Sequence, residues 1–105
     1  LKHLSLLSNN ILLVILFGSH AKGVARNSSD VDIAILAKQP LTLSERSRAT
    51  EWLAKELGVS EDLIDLVDIH DASPLLQHQI AKTGKLLVGN LSDFVRFRRI
   101  NPVCH

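Results

Sequence analysis

The sequence predicts an α/β domain built as a small mixed β-sheet with helices packed on it. Three observations carry that prediction. Short apolar runs rich in β-branched residues alternate with segments of helical period, which is the pattern of an α/β chain. Gly18 closes the first run whereas Asp30 and Asp32 open the second, so a ligand shared by all three requires antiparallel neighbouring strands. The segment between the second and third runs is long enough for a helical crossover, so that pair of strands is expected to be parallel.

Taken in order, Leu1, Leu4 and Leu7 recur at helical spacing until Asn9-Asn10 breaks the pattern, which predicts a short N-terminal helix. Ile11 to Phe17 is a continuous apolar run closed by Gly18 and reads as a strand buried on both faces. Ser19 is a good N-cap for a short helix through about Ala25, weakened by Gly23, and Asn27-Ser28-Ser29 is turn chemistry. Val31 to Ala37 is the second strand, with Val31, Ile33 and Ile35 on one face and Asp32 and Ala34, with Asp30, on the other. Gln39-Pro40 ends it. A helix then starts at Ser44-Glu45 and runs to Leu57, with Gly58 as its C-cap. Its inward stripe is Ala49, Trp52, Leu53, Glu56 and Leu57. Leu63 to Ile69 is the third strand, carrying Asp65 and Asp68. Ser73-Pro74 opens a helix that stops at Gly84, Lys85 to Val88 is a short edge strand, and Ser92 to Arg99 is a final helix with Phe94 and Phe97 on one side.

At 105 residues the chain is expected to be a single domain spanning 1–105, without repeats or linkers. A formal charge of +1 supplies no basic field for nucleic acid, and Arg96, Arg98 and Arg99 read as a solvated or partner-facing end rather than a nucleic-acid patch. No apolar run is long enough to span a bilayer, and the N-terminus lacks the pattern of a secretory signal. The lone Cys104 suits a reducing compartment, so a cytoplasmic location is expected. No methionine occurs, even at position 1, which leaves the natural start open.

The chemistry concentrates in Gly18–Leu36. Asp30 and Asp32 alternate on one strand face, about 6.6 Å apart along the chain. Their charges repel by about 3 kcal/mol at an effective dielectric of about 20. Such a pair is unfavourable unless it is well hydrated or neutralised by a divalent cation, and hard carboxylate oxygens select magnesium or manganese. Gly18 permits close backbone approach, and a helix N-terminus at Ser19 can present N–H groups to a phosphate. The histidines His20, His70 and His78 have no zinc-ligand spacing with one another or with Cys104, and Ser19 lacks a nucleophile elbow.

The stretch GSHAKGVARNSSDVDIAIL resembles the signature of the DNA polymerase β-like nucleotidyltransferase superfamily. More narrowly it is similar to the minimal nucleotidyltransferase (MNT) branch, whose pattern is Gly-Ser, ten residues, Asp-x-Asp; here the ten are His20 to Ser29. The segment VDIHDASPLLQHQIAKTGKLLVG extends the resemblance, which covers most of Ile11 to Arg99. It departs at His20, where arginine or an aromatic residue is common, and this bears on the detail of nucleotide contact. The resemblance implies a polymerase β-like fold. It also implies that Gly18, Ser19 and Ser29 hold a triphosphate and that Asp30 and Asp32 bind two magnesium ions. A third carboxylate would bind metal and activate an acceptor hydroxyl. Asp65 and Asp68 are both available and must face opposite sides of a regular strand. Asp65 is favoured because the parallel pairing sets it beside Asp32, and Asp65-Leu66-Val67 matches the family's Asp-Leu-Val.

The leading expectation is a magnesium-dependent transferase that moves AMP from ATP to a hydroxyl. A chain of this size resembles the antitoxin of HEPN–MNT toxin–antitoxin pairs, which implies a HEPN ribonuclease toxin as partner and a tyrosine as acceptor. Two rivals remain. One is an antitoxin that neutralises its partner by contact alone, through apolar surface at Leu1, Leu4 and Leu7 or Phe94 and Phe97. The other is a small-molecule nucleotidyltransferase working as a homodimer.

Overall fold

The first apolar run forms β1 (Ile11–Phe17) and the second forms β2 (Val31–Ala37). They pair antiparallel, with Phe17 opposite Asp32 and Ile11 opposite Ala37. β3 (Ile64–Asp68) runs parallel to β2, and β4 (Lys85–Gly89) runs antiparallel to β1. The four strands lie in the order β3-β2-β1-β4, so both expected strand directions hold. The computed structural model describes residues 9–18 and 30–100. The helices expected at the N-terminus and from Ser19 to Ala25 lie outside the described residues.

The two central strands have a neighbour on each side and helices on each face, which is why their runs are almost wholly apolar. α1 (Leu43–Leu57) covers one face, where Ala49 and Leu53 pack against Val14, Ile33 and Ile35. α2 (Pro74–Thr83) and α3 (Leu91–Ile100) cover the other, bringing Ile80, Ala81, Phe94 and Phe97 onto Leu13, Ile15 and Ala34. Each fully buried Leu or Ile in these layers contributes about 1.5–3 kcal/mol. β1 reaches both layers by ordinary alternation, with Val14 and Leu16 toward α1 and Leu13, Ile15 and Phe17 toward α2 and α3. A β-bulge at Leu12 shifts that alternation at its start, so that Ile11 and Leu13 pair with the consecutive residues Ala37 and Leu36. Asn10 extends the β1–β2 ladder by side-chain chemistry. Its carbonyl oxygen accepts from the Gln39 N–H at 2.8 Å while its amide donates to the Gln39 carbonyl at 3.0 Å.

Several boundaries differ from the sequence reading. α1 begins at Leu43 with Thr42 as N-cap, not at Ser44. A capping box needs the hydroxyl and the carboxylate three residues apart, and Thr42 is that distance from Glu45. The Glu45 N–H donates to Thr42 Oγ1 at 3.1 Å and the Thr42 N–H donates to Glu45 Oε1 at 2.9 Å. Within the helix Ala54 is buried and Glu56 is exposed, so Ala54 takes the place on the inward stripe first given to Glu56. β3 is shorter than Leu63–Ile69, because 3-10 turns occupy Glu61–Leu63 before it and Ile69–Asp71 after it.

Asp68 makes the second of those turns. It is 2% exposed, and its carboxylate accepts from the Leu41 N–H at 2.8 Å and the His70 N–H at 2.9 Å. One side chain thus ties the connection before α1 to the end of β3. Asp68→Ala would leave two backbone donors without this acceptor and should cost about 3 kcal/mol. Asp65→Ala, at an exposed strand position, should change stability by less than about 0.5 kcal/mol. Thermal or urea denaturation of the two variants checks the contrast, and equal losses would contradict it.

Candidate active site

The parallel register pairs Asp32 with Asp65, so the two carboxylates stand on adjacent strands and share a sheet face. That face is the one covered further along by α2 and α3, since Ala34 and Val67 follow in alternation and pack there. Asp30 lies one residue before β2 and is exposed. Asp68 pairs with Ile35, which lies in the layer beneath α1 on the opposite face. Its oxygens already hold two backbone N–H groups, so it has a structural role. The alternation argument that favoured Asp65 over Asp68 therefore agrees with the register.

Gly18 follows Phe17 directly and has φ 74°, in the left-handed region that glycine adopts without penalty. A Cβ at this position would run into Oδ2 of Asp32 and lie 3.1 Å from its Cγ. The glycine is therefore required twice, by its own backbone and by the carboxylate beside it. Ser19 and Ser29, the other expected nucleotide-binding residues, lie outside the described residues, as does His20.

Phe17, Gly18 and Asp32 form one wall of a cleft of about 540 Å³. Gln79, Lys82 and Thr83 form the other. The volume falls within the ordinary range for small-molecule sites. Thr83 Oγ1 donates to the Gln79 carbonyl at 2.8 Å, fastening the last turn of α2. The sequence reading missed the α2 wall. Its only signal was that positions 79, 82 and 83 share one helix face beside the apolar stripe, and nothing local says what that face meets.

No three His, Cys, Asp or Glu side chains among the described residues form a group that could by themselves hold a metal ion. Asp32 and Asp65 nonetheless fit magnesium by chemistry: all their donors are hard oxygens. Magnesium keeps several waters and takes one or two protein carboxylates together with substrate phosphate. Exposed Asp65 leaves room for those other ligands.

Phe94 and Phe97 are 7% and 4% exposed and belong to the core, so they do not form the contact surface of the binding-only alternative. Arg98 lies over the Phe94 ring at 5.5 Å from its centroid, on the exposed side of α3. No helix among the described residues is long and apolar enough to cross a membrane.

The profile of the family described as polymerase beta, nucleotidyltransferase, matches residues 2–93. The chain belongs to this nucleotidyltransferase family. Protein adenylyltransferase MntA of Shewanella oneidensis is 38% identical over 95 residues, covering 88% of this chain and 66% of the relative. The MntA protein adenylyltransferase of Aphanizomenon flos-aquae is 32% identical over 95 residues, covering 83% of this chain and 63% of the relative. The chain thus spans just under two thirds of the length of these relatives.

Among solved structures, a toxin–antitoxin crystal structure with AMP-PNP is 34% identical with a TM-score of 0.74, covering 93% of this chain and 77% of that one. A tri-AMPylated Shewanella oneidensis HEPN toxin in complex with MNT antitoxin is matched at 32% identity and TM-score 0.66, covering 93% and 73%. The fold is accordingly that of the polymerase β-like nucleotidyltransferases, as the arrangement of β1 to β3 indicates.

Gly18→Ala tests the packing of this site. The strained backbone alone should cost about 1–3 kcal/mol, and displacement of Asp32 should weaken metal-dependent nucleotide binding well beyond that seen with Gly58→Ala. At Gly58 the backbone is also left-handed, with φ 68°, but no atom lies within 4 Å of an added Cβ. Calorimetric titration with an ATP analogue and magnesium distinguishes the two. Equal affinities would show that Asp32 does not need the space.

Proposed function

We propose that the chain is a magnesium-dependent protein adenylyltransferase that moves AMP from ATP to a tyrosine hydroxyl of a HEPN toxin, and so acts as an antitoxin in the cytoplasm. The observation that carries the reading is the Phe17–Asp32–Asp65 register. It sets a glycine turn and two carboxylates side by side at one end of the sheet. The MntA relatives and the complexes of MNT antitoxin with HEPN toxin support the choice of reaction and partner.

Asp32 and Asp65, with the exposed Asp30 just before β2, would hold magnesium, and Gly18 with Ser19 and Ser29 would receive the triphosphate. The bound metal supplies charge neutralisation at the reacting phosphorus and at the leaving oxygen. Asp32 is steadied by its place inside a central strand. Asp65 accepts the proton of the attacking hydroxyl. A bond forms between that oxygen and the α-phosphorus, the bond from phosphorus to the bridging oxygen breaks, and pyrophosphate departs. Asp65 suits the proton transfer because an exposed position on an edge strand is open to a macromolecular acceptor.

With labelled ATP, magnesium and a HEPN partner, the wild-type chain should transfer label to the partner. Asp32→Asn and Asp65→Asn should each reduce transfer by at least about 100-fold, within the range seen when charge stabilisation or proton transfer is lost. Transfer by Asp65→Asn at the wild-type rate would sink its assignment. Full toxin neutralisation by Asp32→Asn without transfer would favour the contact-only antitoxin, and transfer to small hydroxylated molecules without any partner would favour the homodimeric enzyme.

A further inference from the structure

The wall of the cleft contributed by α2 has no part in the chemistry described so far, yet it faces Asp32. We propose that Lys82, with Gln79 beside it, binds the terminal phosphates of the nucleotide and neutralises the departing pyrophosphate. The proposal rests on the reading that a nucleoside triphosphate occupies the site at Asp32.

The order of the elements supports this division. In the sheet, Asp65 on β3 lies to one side of Asp32, whereas Gly18 at the end of β1 lies to the other. Gln79 and Lys82 line the cleft together with Phe17 and Gly18, so they stand on the β1 side. In-line transfer places attacking and leaving oxygens on opposite sides of phosphorus. With the hydroxyl arriving beside Asp65, the leaving group emerges toward β1 and α2. There it gains negative charge as the bond to the α-phosphorus breaks, and an ammonium group is a suitable point-charge partner.

A bland account of Lys82 also exists: a cation in the last turn of a helix is favourable to the helix dipole. That accounts for a lysine somewhere in the turn. It does not account for the polar stripe at 79 and 82, one helical turn apart, lining the same cleft as an aspartate and a glycine that must be glycine. Gln79 adds an amide donor that can reach a phosphate oxygen.

The test is binding of three probes in the presence of magnesium: inorganic pyrophosphate, a non-hydrolysable ATP analogue, and AMP. Each is titrated by calorimetry into the full chain and into Lys82→Ala and Lys82→Arg variants. Lys82→Ala should weaken pyrophosphate and the ATP analogue by about tenfold, as expected for one charge-assisted contact at an exposed site, and AMP by less than about twofold. Lys82→Arg should restore most of the loss. Unchanged binding of pyrophosphate and analogue to Lys82→Ala overturns the proposal, as does an equal loss for AMP. A wild-type chain that binds neither polyphosphate overturns the nucleotide reading itself. A selective polyphosphate loss in a chain that transfers nothing to a HEPN partner would uphold the role of Lys82 and refute only the acceptor.

Discussion

The register of β2 between an antiparallel and a parallel neighbour is the constraint on which the site depends. A slip of one residue on either side would carry a strand's side chains to the opposite face. With β1 displaced, Gly18 would no longer leave room for the Asp32 carboxylate. With β3 displaced, Asp65 would exchange faces with its apolar neighbours, and Asp32 would lose its partner. The register is held by burial: Val31, Ile33 and Ile35 are locked under α1 while Ala34 faces α2 and α3. Hydrophobic packing on both faces therefore fixes the distance between charges at the sheet's end.

Polar side chains fasten this arrangement where the ladder runs out. Asn10 prolongs the pairing of β1 with the chain after β2 through its own amide, and Thr42 and Glu45 close the first turn of α1 reciprocally. Asp68 links the end of β3 to Leu41 across the layer. These contacts lie at the end of the sheet away from Asp32. That end is built for rigidity, and the opposite end is left open for chemistry.

Much of this was legible in the sequence because the signals were local or were joined by one topological step. The apolar runs at Ile11–Phe17 and Val31–Ala37 matched their strands, and the position of Gly18 relative to Asp32 required the antiparallel pair. The pairing of Asp65 with Asp32 followed from side-chain alternation together with the parallel crossover. What was not legible depended on contacts across the fold. Thr42 competes with Ser44 as a cap, and only the Glu45 geometry decides between them. Asp68 resembled a site residue until its buried partners, Leu41 and His70, came into view. The stripe of Gln79 and Lys82 has no motif, because its meaning comes from a cleft closed by residues more than forty positions away.

β3 lies at the border of the sheet, and Asp65 is exposed on it whereas Asp32 is half-buried on a central strand. The site therefore has a conservative half and a permissive half. Asp32 sits between Val31 and Ile33 on a central strand packed into the core, where most substitutions disturb packing. Asp65, the carboxylate proposed to meet the acceptor, stands at a margin that tolerates change in its surroundings. A lineage could exchange one acceptor for another by remodelling that margin while the interior stayed the same, so substrate diversity in this architecture can arise without redesign of the catalytic frame.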